Sequence, residues 1–81
     1  MHERADFSDA LAVEARGRRK ALSLRQDEVA DLAGCSTRFV HMLETAKPSL
    51  RLDKVLDVLD VLGLGLLVAQ NRPAGPGEVR G

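Results

Sequence analysis

The apolar positions between Arg25 and Glu44 fall into two short helical sets with a break between them. From Arg25 to Ala33, the residues Val29, Ala30, Leu32 and Ala33 recur at the spacing of one helical face. Gly34 follows where a left-handed residue commonly ends a helix. Cys35 is a small apolar plug, and Ser36 is a good N-cap for a second helix. That helix carries Phe39, Val40 and Leu43 inward. On a wheel of about 100° per residue, Thr37, Arg38, His41, Met42 and Thr45 fall on the other side. Two helices joined by a tight glycine-containing turn form a helix-turn-helix arrangement. The outer face of the second helix is small, polar or basic, with Met42 on its margin. Such a face suits a major groove, and it suits an ordinary solvated helix equally well.

Before this stretch, Ser8 or Asp9 can cap a helix running to about Leu22, with Leu11, Ala15 and Leu22 inward. Residues 1–7 lack periodicity and read as a flexible arm. Ser23-Leu24 is a short connection with Leu24 buried. After Glu44, Pro48 disfavours helical geometry in the preceding residue, so the helix stops. A fourth helix spans about Leu52 to Leu62, with Leu52, Val55, Leu56, Leu59 and Leu62 as its buried stripe. Val58 and Val61 widen that stripe beyond one face, which predicts a contact outside the domain. The helix-turn-helix domain is thus expected over residues 8–63.

Residues 64–70 read as a strand, with Leu64, Leu66 and Val68 on one face. No second strand is evident, and a lone strand leaves backbone groups unpaired. Pairing with the same strand of a second copy resolves this. The predicted homodimer interface is Val58, Val61, Leu64, Leu66, Leu67 and Val68. The alternative is a loosely packed C-terminal segment. Residues 71–81 hold Pro73, Gly75, Pro76 and Gly77 and read as a flexible tail.

Composition changes this picture in three ways. With 81 residues the chain is one small domain, and its two aromatic residues, Phe7 and Phe39, leave the core aliphatic. The single cysteine excludes an internal disulfide and a cysteine-based zinc site, and a free thiol fits the cytoplasm. The apolar run from Leu62 to Ala69 is far short of the ~20 residues that span a bilayer. His2 and His41 have no ligand constellation at metal spacing, and no glycine-rich phosphate loop occurs, so no cofactor, metal or enzymatic role is expected. Net charge is zero, with 12 basic and 12 acidic residues, whereas nucleic-acid binders are often basic. Segregation of the run Arg16, Arg18, Arg19, Lys20 from Asp53, Asp57 and Asp60 would reconcile the two. Both runs can also be plain solubilising faces.

The residues Gln26, Val29-Ala30, Ala33-Gly34, Ser36, Val40 and Leu43-Glu44 resemble the Cro/C1-type (XRE) helix-turn-helix family, from about Leu11 to Leu67. The run from Ala33 to Glu44, followed by Lys47-Pro48 and the segment from Arg51 to Leu66, is similar to its HipB-like antitoxin branch. The resemblance implies an all-α, lambda-repressor-like bundle of four to five helices, with a short C-terminal strand pairing across a homodimer. It implies that Arg19 pairs with Glu44 at the end of the recognition helix, although Arg19 could instead join the basic run. It also implies that Gln26 touches the DNA backbone and braces that helix. Phe39 departs from the small polar residue often found there, and Arg25 replaces the usual Thr or Ser cap.

Double-stranded DNA is therefore the expected partner. Arg38 is the leading base reader, because a guanidinium pairs bidentately with guanine. Thr37 and His41 follow it. Ser36 and nearby amides can receive a phosphate. Arg25, Lys47, Arg16 and Lys20 are phosphate candidates. The expected function is a sequence-specific repressor on a palindromic operator, serving as an antitoxin with a HipA-like kinase toxin as partner. The alternatives are a stand-alone XRE-type regulator without a toxin and a protein-binding module without DNA contact.

Overall fold

A computed structural model describes residues 3–47 and 49–68, with side chains from Phe7 onward. Four helices follow one another: α1 (Glu3–Ala21), α2 (Gln26–Ala33), α3 (Thr37–Glu44) and α4 (Leu52–Val61). Among the described residues there is no strand. The break expected at Pro48 and the tail expected over 71–81 lie outside the described residues. So do Ala69 and Gln70 at the end of the expected strand.

Each helix ends through the same device. A residue in the left-handed region follows the last turn at Ser23, Gly34, Ala46 and Gly63, with φ of 60°, 73°, 61° and 73°. The next amide then reaches back five residues: Leu24 N to Arg19 O, Cys35 N to Ala30 O, Lys47 N to Met42 O, and Leu64 N to Leu59 O. This is the Schellman motif, which satisfies carbonyls that the helix end leaves open. Glycine adopts that conformation freely at 34 and 63, while Ser23 and Ala46 carry a Cβ there. Three stops are therefore legible in the sequence as glycine or proline, and the one at Ser23 is not.

The helix starts differ in strength. Ser36 Oγ accepts a hydrogen bond from Phe39 N at 3.0 Å, the expected N-cap of α3. Arg25 cannot accept from the turn. The Glu28 carboxylate instead accepts from Arg25 N at 2.8 Å, the reciprocal half of a capping box.

The core lies where α2, α3 and α4 meet α1. Val29, Ala30, Phe39, Val40 and Leu43 are buried there, with Ala12 and Ala15 of α1 beneath them. Small alanines let α1 approach closely, and Leu43 is nearly sealed. Truncating such a leucine to alanine typically costs about 2–5 kcal/mol.

Several expectations are corrected. The chain is helical from Glu3, so the predicted arm over 1–7 is mostly the first turn of α1. Leu22 and Leu32, expected inward, stand exposed. On α4 the buried stripe is Val55, Val58, Leu59 and Leu62, while Leu52 and Leu56 face out. Apolar residues at almost every non-aspartate position of this helix satisfy two adjacent stripes. Packing against α2 selects the valine-containing one. Val58 is fully buried in the chain's own core and has no surface to offer a partner, so it leaves the predicted dimer interface. Val61, Leu64 and Leu66 are partly buried against the same core, whereas Leu67 and Val68 are 91% and 93% exposed.

The left-handed positions generate a paired test. Ser23→Gly should raise the unfolding free energy by about 1 kcal/mol, and Gly34→Ala should lower it by a similar amount. Urea titration of the two variants against the parent measures both. Both signs reversed would show that the turns tolerate a Cβ without strain.

Candidate nucleic-acid interface

Helix α3 has only eight residues, too few to hold an orientation by its own hydrogen bonds. Its inner side is fastened by Phe39, Val40 and Leu43. Its C-terminal residue, Glu44, is fastened by polar contacts. Arg19 Nε donates to Glu44 Oε2 at 2.6 Å, and Arg19 Nη2 donates to Oε1 at 2.9 Å. Gln26 Nε2 donates to the same Oε1 at 3.1 Å. Arg19 Nη1 also donates to the Leu24 carbonyl at 2.9 Å. One carboxylate thus ties α3 to α1 and α2, and one guanidinium fixes the turn between those two helices.

This pair is sheltered, with the Arg19 and Glu44 side chains 12% and 4% exposed. Burial alone pushes the Glu44 carboxyl up. Hydrogen bonds from Arg19 and Gln26, then the charges of Arg19 and Arg16, outweigh burial and hold it below the usual carboxylate range. The hydrogen bond with Glu44 correspondingly raises Arg19. A bidentate guanidinium–carboxylate pair has the geometry that repays desolvation.

With its inner side and end held, α3 presents Thr37, Arg38 and His41 to solvent, with Met42 half-buried at the margin. Ser36 is exposed at its N-terminus, where its hydroxyl oxygen already serves as the cap. Gln26 is half-buried and committed to Glu44, so its bracing contact is present. Lys47 is exposed just past the end of α3. Arg16 and Lys20 are exposed one helical turn apart on α1. Arg16 acts on Glu44 through its charge, whereas no described contact joins Lys20 to α3. Arg25 is exposed but already engaged, its Nε donating to Asp27 Oδ1 at 3.1 Å. Cys35 is half-buried against the core, and burial pushes its thiol up, away from the reactive thiolate.

The helix-turn-helix domain family matches the chain over residues 10–70, a span covering all of α2 to α4. The chain belongs to that family. An uncharacterised HTH-type transcriptional regulator, y4mF, of Sinorhizobium fredii is 44% identical to it over 62 residues, covering 76% of this chain and 75% of that protein.

Three features of this helix-turn-helix domain are not foreseen from sequence. An open groove beside α3 is lined by Arg38 and Met42 on one side, and by Ser49, Arg51 and Lys54 on the other. Arg51 and Lys54 were obscured by the acidic character of the rest of α4. Arg18 leaves the expected basic run to donate from Nε to the Leu62 carbonyl at 2.9 Å, closing the end of α4. Glu28 caps α2, and its position three residues after Arg25 is the signal that could have revealed it.

Arg19→Met should cost about 3–5 kcal/mol, because it leaves the Glu44 charge stranded in a sheltered site. An unchanged melting temperature would reject the pair as a structural element. The pH dependence has a definite sign. The folded-state pKa of Glu44 lies below its unfolded value of about 4.3. Its stabilisation is therefore complete above about pH 4.3 and is lost as pH falls through the folded-state value. Comparing the parent with Glu44→Gln by urea unfolding should show an advantage at pH 7 that shrinks below pH 4.

Proposed function

We propose that this chain is a sequence-specific DNA-binding transcriptional repressor that acts as a homodimer on a palindromic operator. The observation that carries the reading is the sheltered Arg19–Glu44–Gln26 network. It holds a short helix in one orientation while Thr37, Arg38 and His41 stand clear of the protein. A helix that served only to pack would not need its outer face fixed. The family match and the relative named as a transcriptional regulator support the same reading. Arg38 reads a base edge, with Thr37 and His41 beside it. Ser36, Lys47, Arg16 and Lys20 meet phosphates, and Arg25 does so on leaving Asp27. The cytoplasm is the compartment that fits this role.

The dimer is part of this proposal. Leu67 and Val68 are almost bare, and the backbone amides of residues 65–68 make no described bond within the chain. Pairing this segment with its counterpart in a second copy would use those groups. It would also set the two α3 helices about one helical turn of DNA apart. The antitoxin role with a HipA-like kinase partner belongs to the same proposal. The exposed apolar side chains Phe7, Leu52 and Leu56 favour some protein contact beyond the domain's own core.

Selection of bound duplexes from a random pool tests the reading directly. A palindromic consensus is expected, with affinity falling steeply as salt rises. Arg38→Ala should weaken binding to that consensus by about 1–3 kcal/mol and relax preference at one base position. Enrichment of no sequence would overturn the repressor reading, and unaltered preference in the variant would remove Arg38 from the readers.

A further inference from the structure

Two arginines hold equivalent places on either side of α3. Arg25 is the N-cap residue of α2, and Arg51 is the N-cap residue of α4. Each is followed two positions later by an aspartate, Asp27 or Asp53, and each is paired with it. Arg25 Nε donates to Asp27 Oδ1 at 3.1 Å, and its Nη2 lies 3.7 Å from Glu28 Oε2. Arg51 grips Asp53 with two bonds, Nε to Oδ1 at 3.2 Å and Nη2 to Oδ2 at 2.7 Å. All four side chains are more than half exposed, so neither pair can matter much to stability. Arg51 nevertheless borders the groove that also holds Arg38 and Met42 of the recognition helix. Arg25 begins the helix that a helix-turn-helix lays across the DNA backbone.

From these two pairs we propose that Asp27 and Asp53 are specificity-determining residues that work by masking Arg25 and Arg51. The proposal rests on the DNA-binding reading given above. Loosely held DNA is attracted by net charge alone, without fixed contacts. At that range neither arginine adds net positive charge, since Asp27 and Glu28 offset Arg25 and Asp53 offsets Arg51. On a correctly docked duplex, a phosphate held at contact distance competes with the carboxylate for the guanidinium. The exposed pair is weak enough to yield. The arginine then strengthens binding only where docking is already right. Two masked arginines also explain how a chain with zero net charge can carry a DNA face without binding every duplex it meets.

The test compares the parent with a double variant, Asp27→Asn with Asp53→Asn, by fluorescence anisotropy over a range of salt. The probes are a duplex selected by the parent from a random pool and a scrambled duplex of the same length. The double variant should bind the scrambled duplex about ten-fold more tightly at 0.1 M salt. Its log-affinity against log-salt plot should steepen by about 0.9 for each phosphate gained. The gain on the selected duplex should be smaller, so the ratio of the two affinities falls. The same asparagine changes are then made in an Arg25→Gln, Arg51→Gln background. Masking predicts no gain there. An equal gain in that background would show simple repulsion by the aspartates and overturn the proposal, as would equal gains on both duplexes. Selective binding by the parent with no gain in the double variant would overturn this proposal alone. If no variant binds any duplex at low salt, the DNA-binding reading fails first and this one with it.

Discussion

One carboxylate decides the geometry of this molecule. Glu44 sits at the end of an eight-residue helix and receives bonds from α1 and α2 together. Aliphatic packing through Val40 and Leu43 fixes how deep α3 sits, but such packing is tolerant of small rotations. Directional bonds are not. The two Arg19–Glu44 bonds and the Gln26 bond leave α3 little freedom to roll, and the Arg19 bond to the Leu24 carbonyl ties the α1–α2 turn to the same point. Sheltering makes the arrangement demanding, since a lone charge there would be costly. The orientation of the outward face is thus a consequence of a buried ion pair reached from a different helix.

The stretch from Arg25 to Glu44 was largely legible because three independent signals agree there. Gly34 supplies the left-handed stop, Ser36 supplies a cap, and the apolar residues of α3 occupy a single face. The Arg19–Glu44 pair was legible only through family resemblance, since residues 25 positions apart carry no local signal of contact. On α4 the signals conflict. Its apolar residues fill two overlapping stripes, and periodicity cannot rank Leu52 and Leu56 against Val58 without the partner helix. Residues 3–7 show no useful pattern in isolation, yet they are helical as the leading turns of α1. Once a helix is nucleated, extending it by a turn requires no periodicity of its own.

Charge distribution separates the candidate interface from the rest of the surface. The expected segregation holds only in part. Arg16 and Lys20 are exposed on α1, but Arg18 and Arg19 are spent on Leu62 and Glu44. Asp57 and Asp60 are exposed on α4, whereas Arg51 and Lys54 at its start border α3. The zero net charge is therefore a sum over faces of different sign, and it describes none of them. A count of basic residues overstates what the interface has available, because several guanidiniums already have partners within the protein.

A single copy of this domain has limited capacity to choose a sequence. Helix α3 exposes Thr37, Arg38 and His41, and three side chains of this size can contact only a few base pairs. Each good bidentate contact discriminates by about 1–3 kcal/mol, and Arg38 alone among the three has the geometry for one at guanine. Affinity from phosphates adds nothing to choice, since phosphates are alike along the duplex. The proposed repressor role thus requires more reading surface than α3 provides. Rotating the same eight residues through a two-fold axis doubles that surface without any new base-reading chemistry. The bare side chains of Leu67 and Val68 lie on the segment where such an axis could be formed. For the proposed role, sequence choice on α3 and self-association beyond α4 are consequently linked, because a second copy would supply the reading surface that one α3 lacks.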